Sequence, residues 1–425
     1  MTRVKAGMDH VLGYKCTICG AEYSLDEIDY VCPEHGAEGI VDIVYDYPLL
    51  KSRLGKVASS SILEPQALGM WRFKSLLPVE LASRVPGLVV GGTPLYNASR
   101  LGSSLGLKNL WVKDDSANPS ASLKDRASAI AVVKAQEKSA EVLTTASTGN
   151  AAAALACLSA SAGVRAVIFV PKTAPPAKIA QQLIYGARVL LVDGTYDDAF
   201  DLAIEAANAF GWYNRNTGYN PYMSEGKKTV VYEICEQLDW HTPDRIFVPV
   251  GDGCIIGAVY KGLHDLLALG WIDRMPRLVG VQAAGSSPLV RAWEDGLPGW
   301  EMVKVDAHTR ADSICAGLPR DRNKALAAVR KTDGAFIAVE DQEILDAIPV
   351  IAQQTGVFCE PAAAAAYAGL ARMVQEGKVR PDEHIVLLLT GSGLKDIASA
   401  MAVVPEPPVI VSSLSAVRTA LDQGV

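Results

Sequence analysis

The feature that most restricts the fold is an alternation of short apolar runs and Ala-rich helical stretches from Glu141 to Phe210. Val142–Thr145, Arg165–Val170 and Arg188–Val192 read as strands, with Ala151–Ala160, Ala177–Tyr185 and Asp197–Phe210 as helices. Strands joined through helices pair in parallel, because a crossover is needed to bring the chain back to the same edge. The expectation is an open parallel sheet covered on both faces, with ligands bound beyond the carboxyl ends of its strands.

Further strand-to-helix units follow. Phe247–Val250 runs into Gly251-Asp252-Gly253-Cys254-Ile255 and then a helix, Ile256–Leu269. Glycines at such a turn form a backbone nest for a phosphate, provided the Asp252 carboxylate points away. His384–Leu389 is apolar enough to be a buried strand and ends in Thr390-Gly391-Ser392-Gly393-Leu394-Lys395-Asp396. In the first region, Ala146-Ser147-Thr148-Gly149-Asn150 sets two hydroxyls and a side-chain amide at a helix start. That turn is an anion site or a plain helix cap.

Ahead of these units, Asn118-Pro119-Ser120-Ala121-Ser122-Leu123-Lys124-Asp125-Arg126 leads into a helical stretch, Ala127–Ala135. Asn-Pro breaks regular structure and Ser122 is placed to cap the helix. Lys124 then falls in the first turn, where the positive end of the helix dipole favours the neutral amine that nucleophilic catalysis requires. A solvated Lys-Asp-Arg face is the alternative. Lys113, at the end of the strand Leu110–Lys113, is either a solvated strand end or a cation facing the site of Lys124.

The 425 residues, 49% hydrophobic, suffice for two or more domains, and the net charge of -7 argues against a nucleic-acid binder. No stretch is apolar enough to span a membrane, and Met1–Lys5 leads into no signal sequence. Eight scattered Cys do not form a disulfide framework, so a reducing cytoplasm is the expected location. Four ligand-type residues do pair: Cys16 with Cys19, and Cys32 with His35. Such spacing is that of a zinc-ribbon-like module with a closed, structural Zn site, its strands expected within Ala21–Val31 and a further strand over Ile40–Pro48. Because the module is far in sequence from Lys124, loss of zinc is expected to lower stability more than it alters chemistry.

Taken together, the segments Asn118–Arg126, Ala146–Asn150 and Thr390–Asp396 resemble the threonine synthase branch of the fold-type II pyridoxal-phosphate enzymes. Gly92-Thr93-Pro94-Leu95, Asn220-Pro221-Tyr222 with Glu225-Gly226 and Thr229, and Ala311-Asp312-Ser313-Ile314 carry the same likeness. The resemblance implies an α/β, tryptophan synthase β-like fold with two open parallel-sheet domains behind the amino-terminal module. Expected boundaries are 1–45 for that module, 46–112 with 236–425 for a large cofactor domain, and 113–235 for a small domain opened by the lysine.

By resemblance, Lys124 is the Schiff-base lysine for pyridoxal 5'-phosphate, Asn150 faces the ring hydroxyl, Gly251, Asp252, Gly253, Cys254 and Ile255 hold the phosphate, and Thr390 faces the ring nitrogen. Ser147 and Thr148 would take the substrate carboxylate and Lys113 the substrate phosphate. The implied enzyme is a carbon-oxygen lyase converting O-phospho-L-homoserine and water to L-threonine and phosphate. A small-molecule amino-acid substrate is its implied partner, with neither nucleic acid nor membrane. A homodimer is compatible with the residues, which do not decide the assembly. Familiar members carry Gly at Ala121, Phe at Leu123, Asn at Asp252, His at Ser392 and a cation at Met223. Lys113, Lys227 and Lys228 are the cations available to replace that last one. A related lyase acting at Cβ (a threonine or serine dehydratase, or a β-replacement enzyme) and a non-catalytic binding protein on the same fold are the competing readings.

Overall fold

A computed structural model describes residues 8–55, 67–174 and 176–422. Met1–Lys5 and part of the segment between residues 51 and 86 therefore lie outside the described residues. Strands β1 (Val11–Cys16), β2 (Glu22–Tyr23) and β3 (Val41–Tyr45) form an antiparallel sheet in the order β2-β1-β3. Strands β4 (Leu95–Asn97) and β5 (Asn109–Asp114) come next. Strands β6 (Val142–Ala146), β7 (Arg165–Pro171), β8 (Arg188–Val192) and β9 (Tyr213–Asn214) make a parallel sheet in the order β8-β7-β6-β9. Strands β10 (Arg245–Pro249), β11 (Arg277–Ala283), β12 (Ala335–Val339) and β13 (His384–Leu389) then join β4 and β5 in the order β12-β11-β10-β13-β5-β4. Only β4 runs antiparallel in that sheet.

The alternation read from Glu141 to Phe210 is thus one sheet, and the later strand-to-helix units build another. The change of sheet falls after Asp114 rather than at Lys113, because Lys113 and Asp114 still pair with Leu388 and Leu389 of β13.

Eight helices frame the site: α1 (Lys124–Glu137), α2 (Asn150–Ala162), α3 (Tyr196–Phe210), α4 (Tyr222–Lys227), α5 (Thr229–Gln237), α6 (Cys254–Leu269), α7 (Arg322–Lys331) and α8 (Pro361–Gln375). Helices on both faces leave β6 and all of β13 after His384 buried, which is why these strands carry unbroken apolar runs. The main core runs between the two large sheets, with α1 packed on α2 and α4. Its close approach to α4 requires Gly226, where a Cβ would sit 2.2 Å from the Arg126 carbonyl oxygen.

The amino-terminal module is docked, not tethered. Lys324 Nζ donates to the Val41 carbonyl and Lys261 Nζ to that of Ile43, each at 2.9 Å, from helices α7 and α6. Its strands differ from expectation. Within Ala21–Val31 only Glu22–Tyr23 is a strand, while Val31 makes an isolated bridge to Ile40. The strand after Ile40 ends at Tyr45, because Asp46 accepts from the Leu49 amide at 2.9 Å and caps the helix Tyr47–Leu54 with Pro48 in its first turn. Among the described residues no helix is long and apolar enough to cross a membrane.

Candidate active site

The carboxyl ends of both parallel sheets converge on one cavity of about 770 Å³. Ala146, Pro171 and Pro249 close the ends of β6, β7 and β10 against it, and Thr390 enters from beyond β13. Lys124, Ser147, Thr148, Asn150, Gly251, Asp252, Gly253, Cys254, Ile255 and Thr390 all line this space. Residues separated by up to two-thirds of the chain are brought together around one cavity.

Lys124 opens α1, and the loop before it is pinned from three sides. The Thr390 carbonyl accepts from the Leu123 amide at 2.9 Å, and the Ala121 carbonyl from the Ser392 amide at 3.1 Å. These bonds put Thr390 beside Lys124. Asp125 accepts from the Ser120 amide at 2.6 Å and from its hydroxyl. Arg126 makes bidentate pairs with both Asp115 and Glu233 at 2.7–2.8 Å, all three side chains wholly buried. The Lys-Asp-Arg run is therefore no solvated face. Ser122 does not cap α1; it bridges Gly391, and its buried hydroxyl has no hydrogen-bond partner among the described residues. Burial holds the Lys124 amine below the ordinary lysine value, with Glu360 pulling the other way and Arg215 adding to the depression. Desolvation, more than the helix dipole expected from sequence, is the larger cause.

Asn150 begins α2, and its side-chain amide donates to both carboxylate oxygens of Glu360, at 2.9 and 3.0 Å. Glu360 was not found from sequence. The signal was Glu360-Pro361, an acidic residue before a helix-opening proline at the start of α8. Burial raises its carboxyl above the ordinary value, against Asn150 and Lys124.

The glycine turn fits a phosphate. Gly253 has φ of +84°, and a Cβ there would lie 2.7 Å from that of Ala325; at Gly251 it would lie 2.8 Å from the Ile314 Cα. The turn opens the sixteen-residue α6 with no side-chain cap, so its first amides remain available to an anion. Asp252 lines the cavity, and its Oδ1 accepts from the Arg320 amide at 3.3 Å.

Lys113 is not brought to this cavity. Its ammonium donates to Glu233 at 2.8 Å, the Thr93 carbonyl at 2.7 Å and Gln237 at 2.9 Å, fully buried on the far side of the Arg126 network. With all three of its ammonium hydrogens engaged, Lys113 has none left for a ligand in the cavity. Met223 and Ser392 do not line the cavity either, and Met223 is packed wholly into the core.

In the amino-terminal module, the Cys16, Cys19, Cys32 and His35 ligand atoms lie within 4.8 Å of one another. The Cys19 and Cys32 sulfurs are 4.0 Å apart and Cys32 Sγ is 3.6 Å from His35 Nδ1, close to the edges of a tetrahedral thiolate-imidazole zinc site. Gly39 lets the second pair close up, since a Cβ there would lie 2.9 Å from those of Cys32 and His35. The donor set fits a structural metal.

Residues 87–391 match the family described as pyridoxal-phosphate dependent enzyme. The threonine synthase of Methanocaldococcus jannaschii is 38% identical over 410 residues, 96% of this chain and 99% of that protein. That of Methanosarcina acetivorans is 40% identical over 409 residues, 96% of this chain and 98% of that protein. Among solved structures, a processed threonine deaminase isoform from Solanum lycopersicum superposes with a TM-score of 0.62 at 22% identity, over 81% of this chain and 86% of that one. The tomato enzyme shares the fold, whereas the curated synthases match sequence end to end; the chain belongs to the pyridoxal-phosphate dependent enzyme family, with threonine synthases as its relatives over nearly its whole length.

Proposed function

We propose that the protein is a pyridoxal-phosphate-dependent threonine synthase, converting O-phospho-L-homoserine and water to L-threonine and phosphate. The end-to-end identity to curated threonine synthases carries this reading. The cavity supports it by bringing an amine, a glycine turn and a hydroxyl to one space. Lys124 would hold the cofactor, Gly251 to Ile255 its phosphate, Asn150 its ring oxygen and Thr390 its ring nitrogen. When bound, the cofactor supplies an electron sink for carbanions at the substrate Cα and Cβ.

The chain's own residues supply the rest. Lys124 Nζ takes the proton from Cα, then one from Cβ, as phosphate leaves Cγ; one of these protons is delivered to Cγ, water gives its hydroxyl to Cβ and its remaining proton to the departed phosphate, and Lys124 returns the other proton to Cα. One amine acting as both acid and base needs the depressed pKa that burial gives it. A neutral hydroxyl at Thr390 does not protonate the ring nitrogen, which keeps the sink moderate. Ser147 and Thr148, in the turn between β6 and α2, would take the substrate carboxylate. Cys16, Cys19, Cys32 and His35 would hold one zinc whose part is structural, because all four positions are protein ligands.

The test is product analysis with phosphohomoserine, L-threonine and L-serine offered separately. Threonine and phosphate in equal amounts from the first are expected. Deamination of threonine or serine to the keto acid, with no phosphate from phosphohomoserine, would replace this reading by that of a Cβ lyase.

A further inference from the structure

Six cationic side chains line the cavity among the described residues: Lys124, Arg215, Lys227, Lys304, Arg320 and Arg322. Three of them are paired with carboxylates, two sharing one. Lys304 and Arg320 both pair with Asp197, and Arg322 pairs with Glu38. Lys124 is the amine assigned to the cofactor. Arg215 and Lys227 remain, both wholly buried, and neither forms an ion pair with a carboxylate among the described residues. Removing a cation from water costs several kcal/mol unless an anion meets it. Burial, with Lys124 and Arg215 as neighbours, pushes Lys227 down to about 7, and burial pushes Arg215 down to about 10.

Their hydrogen bonds join them. Thr217 Oγ1 accepts from Arg215 Nη1 at 2.9 Å and from Lys227 Nζ at 3.3 Å. With both lone pairs engaged, the Thr217 hydroxyl has its proton left to donate, and Thr217 too lines the cavity. The segment is fixed beside the Ser147 turn, because the Asn216 side-chain oxygen accepts from the Ala146 amide at 2.8 Å. Other cations nearby are spoken for: Lys228 pairs with Glu225 and Asp265, each at 2.6 Å, and Lys113 with Glu233.

We propose that Arg215, Thr217 and Lys227 form an anion subsite in this cavity that takes the phosphate monoester of the substrate, doing the work of the cation missing at Met223. The inference rests on the threonine synthase reading for its choice of substrate. Arg215 also donates from Nε to Ser128 Oγ at 3.2 Å and from Nη2 to the Lys124 carbonyl at 3.4 Å, which leaves one N–H free on each terminal nitrogen. Those N–H groups, an ammonium and a hydroxyl donor, converging from one loop and the end of α4, match a tetrahedral dianion better than a planar carboxylate. The glycine nest at Gly251 to Ile255 already answers the cofactor's own phosphate.

The experiment uses the cofactor-loaded enzyme and its Lys227→Met and Thr217→Val variants, with O-phospho-L-homoserine and inorganic phosphate as probes. Lys227→Met is expected to raise KM for phosphohomoserine by at least about tenfold and weaken inhibition by inorganic phosphate by a similar factor, with cofactor affinity changed less than about twofold. Thr217→Val is expected to move the same two quantities by a smaller factor, and it tests the subsite should Lys227→Met fail to fold. A rise in the cofactor dissociation constant with phosphate inhibition intact would overturn the substrate assignment, since the cations would then serve the cofactor. Unchanged KM and unchanged inhibition in both variants would overturn the subsite itself. Should the wild type not turn over phosphohomoserine, the threonine synthase reading fails separately. The subsite is then judged by whether inorganic phosphate raises the melting temperature of wild type and not of Lys227→Met.

Discussion

Glu38 and Arg322 form an ion pair that joins the amino-terminal module to the rim of the cofactor cavity, and both side chains line that cavity. Glu38 lies three residues beyond His35, and Arg322 opens α7 directly beneath the glycine turn, where Ala325 meets Gly253. Lys324 of the same helix pairs with Asp42 at 2.7 Å. The module that seems remote from Lys124 in sequence therefore buttresses the glycine-turn side of the cavity.

Loss of the zinc proposed for the Cys16, Cys19, Cys32 and His35 cluster should consequently touch both stability and cofactor binding. Cys16→Ser is expected to lose its zinc and to melt at least ~5 °C lower. Equal zinc in variant and wild type would refute the ligand assignment. Glu38→Gln keeps the ligands and removes only the link, so zinc content should hold. The Glu38 side chain is half exposed, and cofactor affinity should fall only about two- to fivefold. Cofactor titration by absorbance, run beside metal analysis, separates the two effects.

Lys124→Ala should lower turnover by at least about 10³-fold while leaving the melting curve nearly unchanged. The lysine side chain is not part of the Asp115–Arg126–Glu233 network that fixes the loop. Borohydride reduction of the loaded wild type, followed by peptide mapping, should place the cofactor on Lys124. A label on Lys113 would contradict the geometry, because that amine is enclosed by Glu233, Gln237 and Thr93.

Much of this was legible in the residues, and the limits have physical causes. Local apolar runs and turn residues give away strands and helices, so β8 and β13 fall where the sequence puts them. The cavity residues Lys124, Asn150 and Thr390 sit in turns whose composition betrays an unusual backbone. Partner identity is different, because it depends on what folds against what. Nothing local says that Lys113 faces Glu233, that Lys228 faces Asp265, or that Lys227 faces no carboxylate among the described residues. Glu360 escaped notice for the same reason: only the packed fold sets it against Asn150. Ser122 looked like a cap because Ser before a helix usually is one, but its backbone is committed to Gly391.

Ala121 gives a stability prediction. Its φ of +63° lies in the left-handed region, which costs a residue with a Cβ about 1–2 kcal/mol. Glycine would remove that strain while adding roughly 0.4–1 kcal/mol of unfolded-state entropy. Ala121→Gly is therefore expected to stabilise by roughly 0.5–1 kcal/mol. The denaturant midpoint should rise with no change in slope. A fall would mean that the Ala121 methyl packs more favourably than its backbone strain costs.

The last prediction concerns acid stability and Glu233. Burial alone would raise its carboxyl, but Arg126 and Lys113 outweigh burial and hold it far below the ordinary value of 4.5. A carboxylate depressed in the folded state stabilises fully at pH values above its unfolded pKa, and that contribution is lost as pH falls through the folded value. Wild type should therefore lose stability progressively below about pH 4.5, and part of that slope belongs to Glu233. Glu233→Gln removes the charge that answers Lys113 and half of that facing Arg126, and leaves the Gly92 amide, held at 2.8 Å, with a weaker acceptor. Breaking a buried pair in this way costs about 3–5 kcal/mol at neutral pH. The variant should also show a flatter melting-temperature profile below pH 4.5, since the group that titrates there in wild type is gone. Parallel acid profiles for the two proteins would show that Glu233 does not carry the dependence.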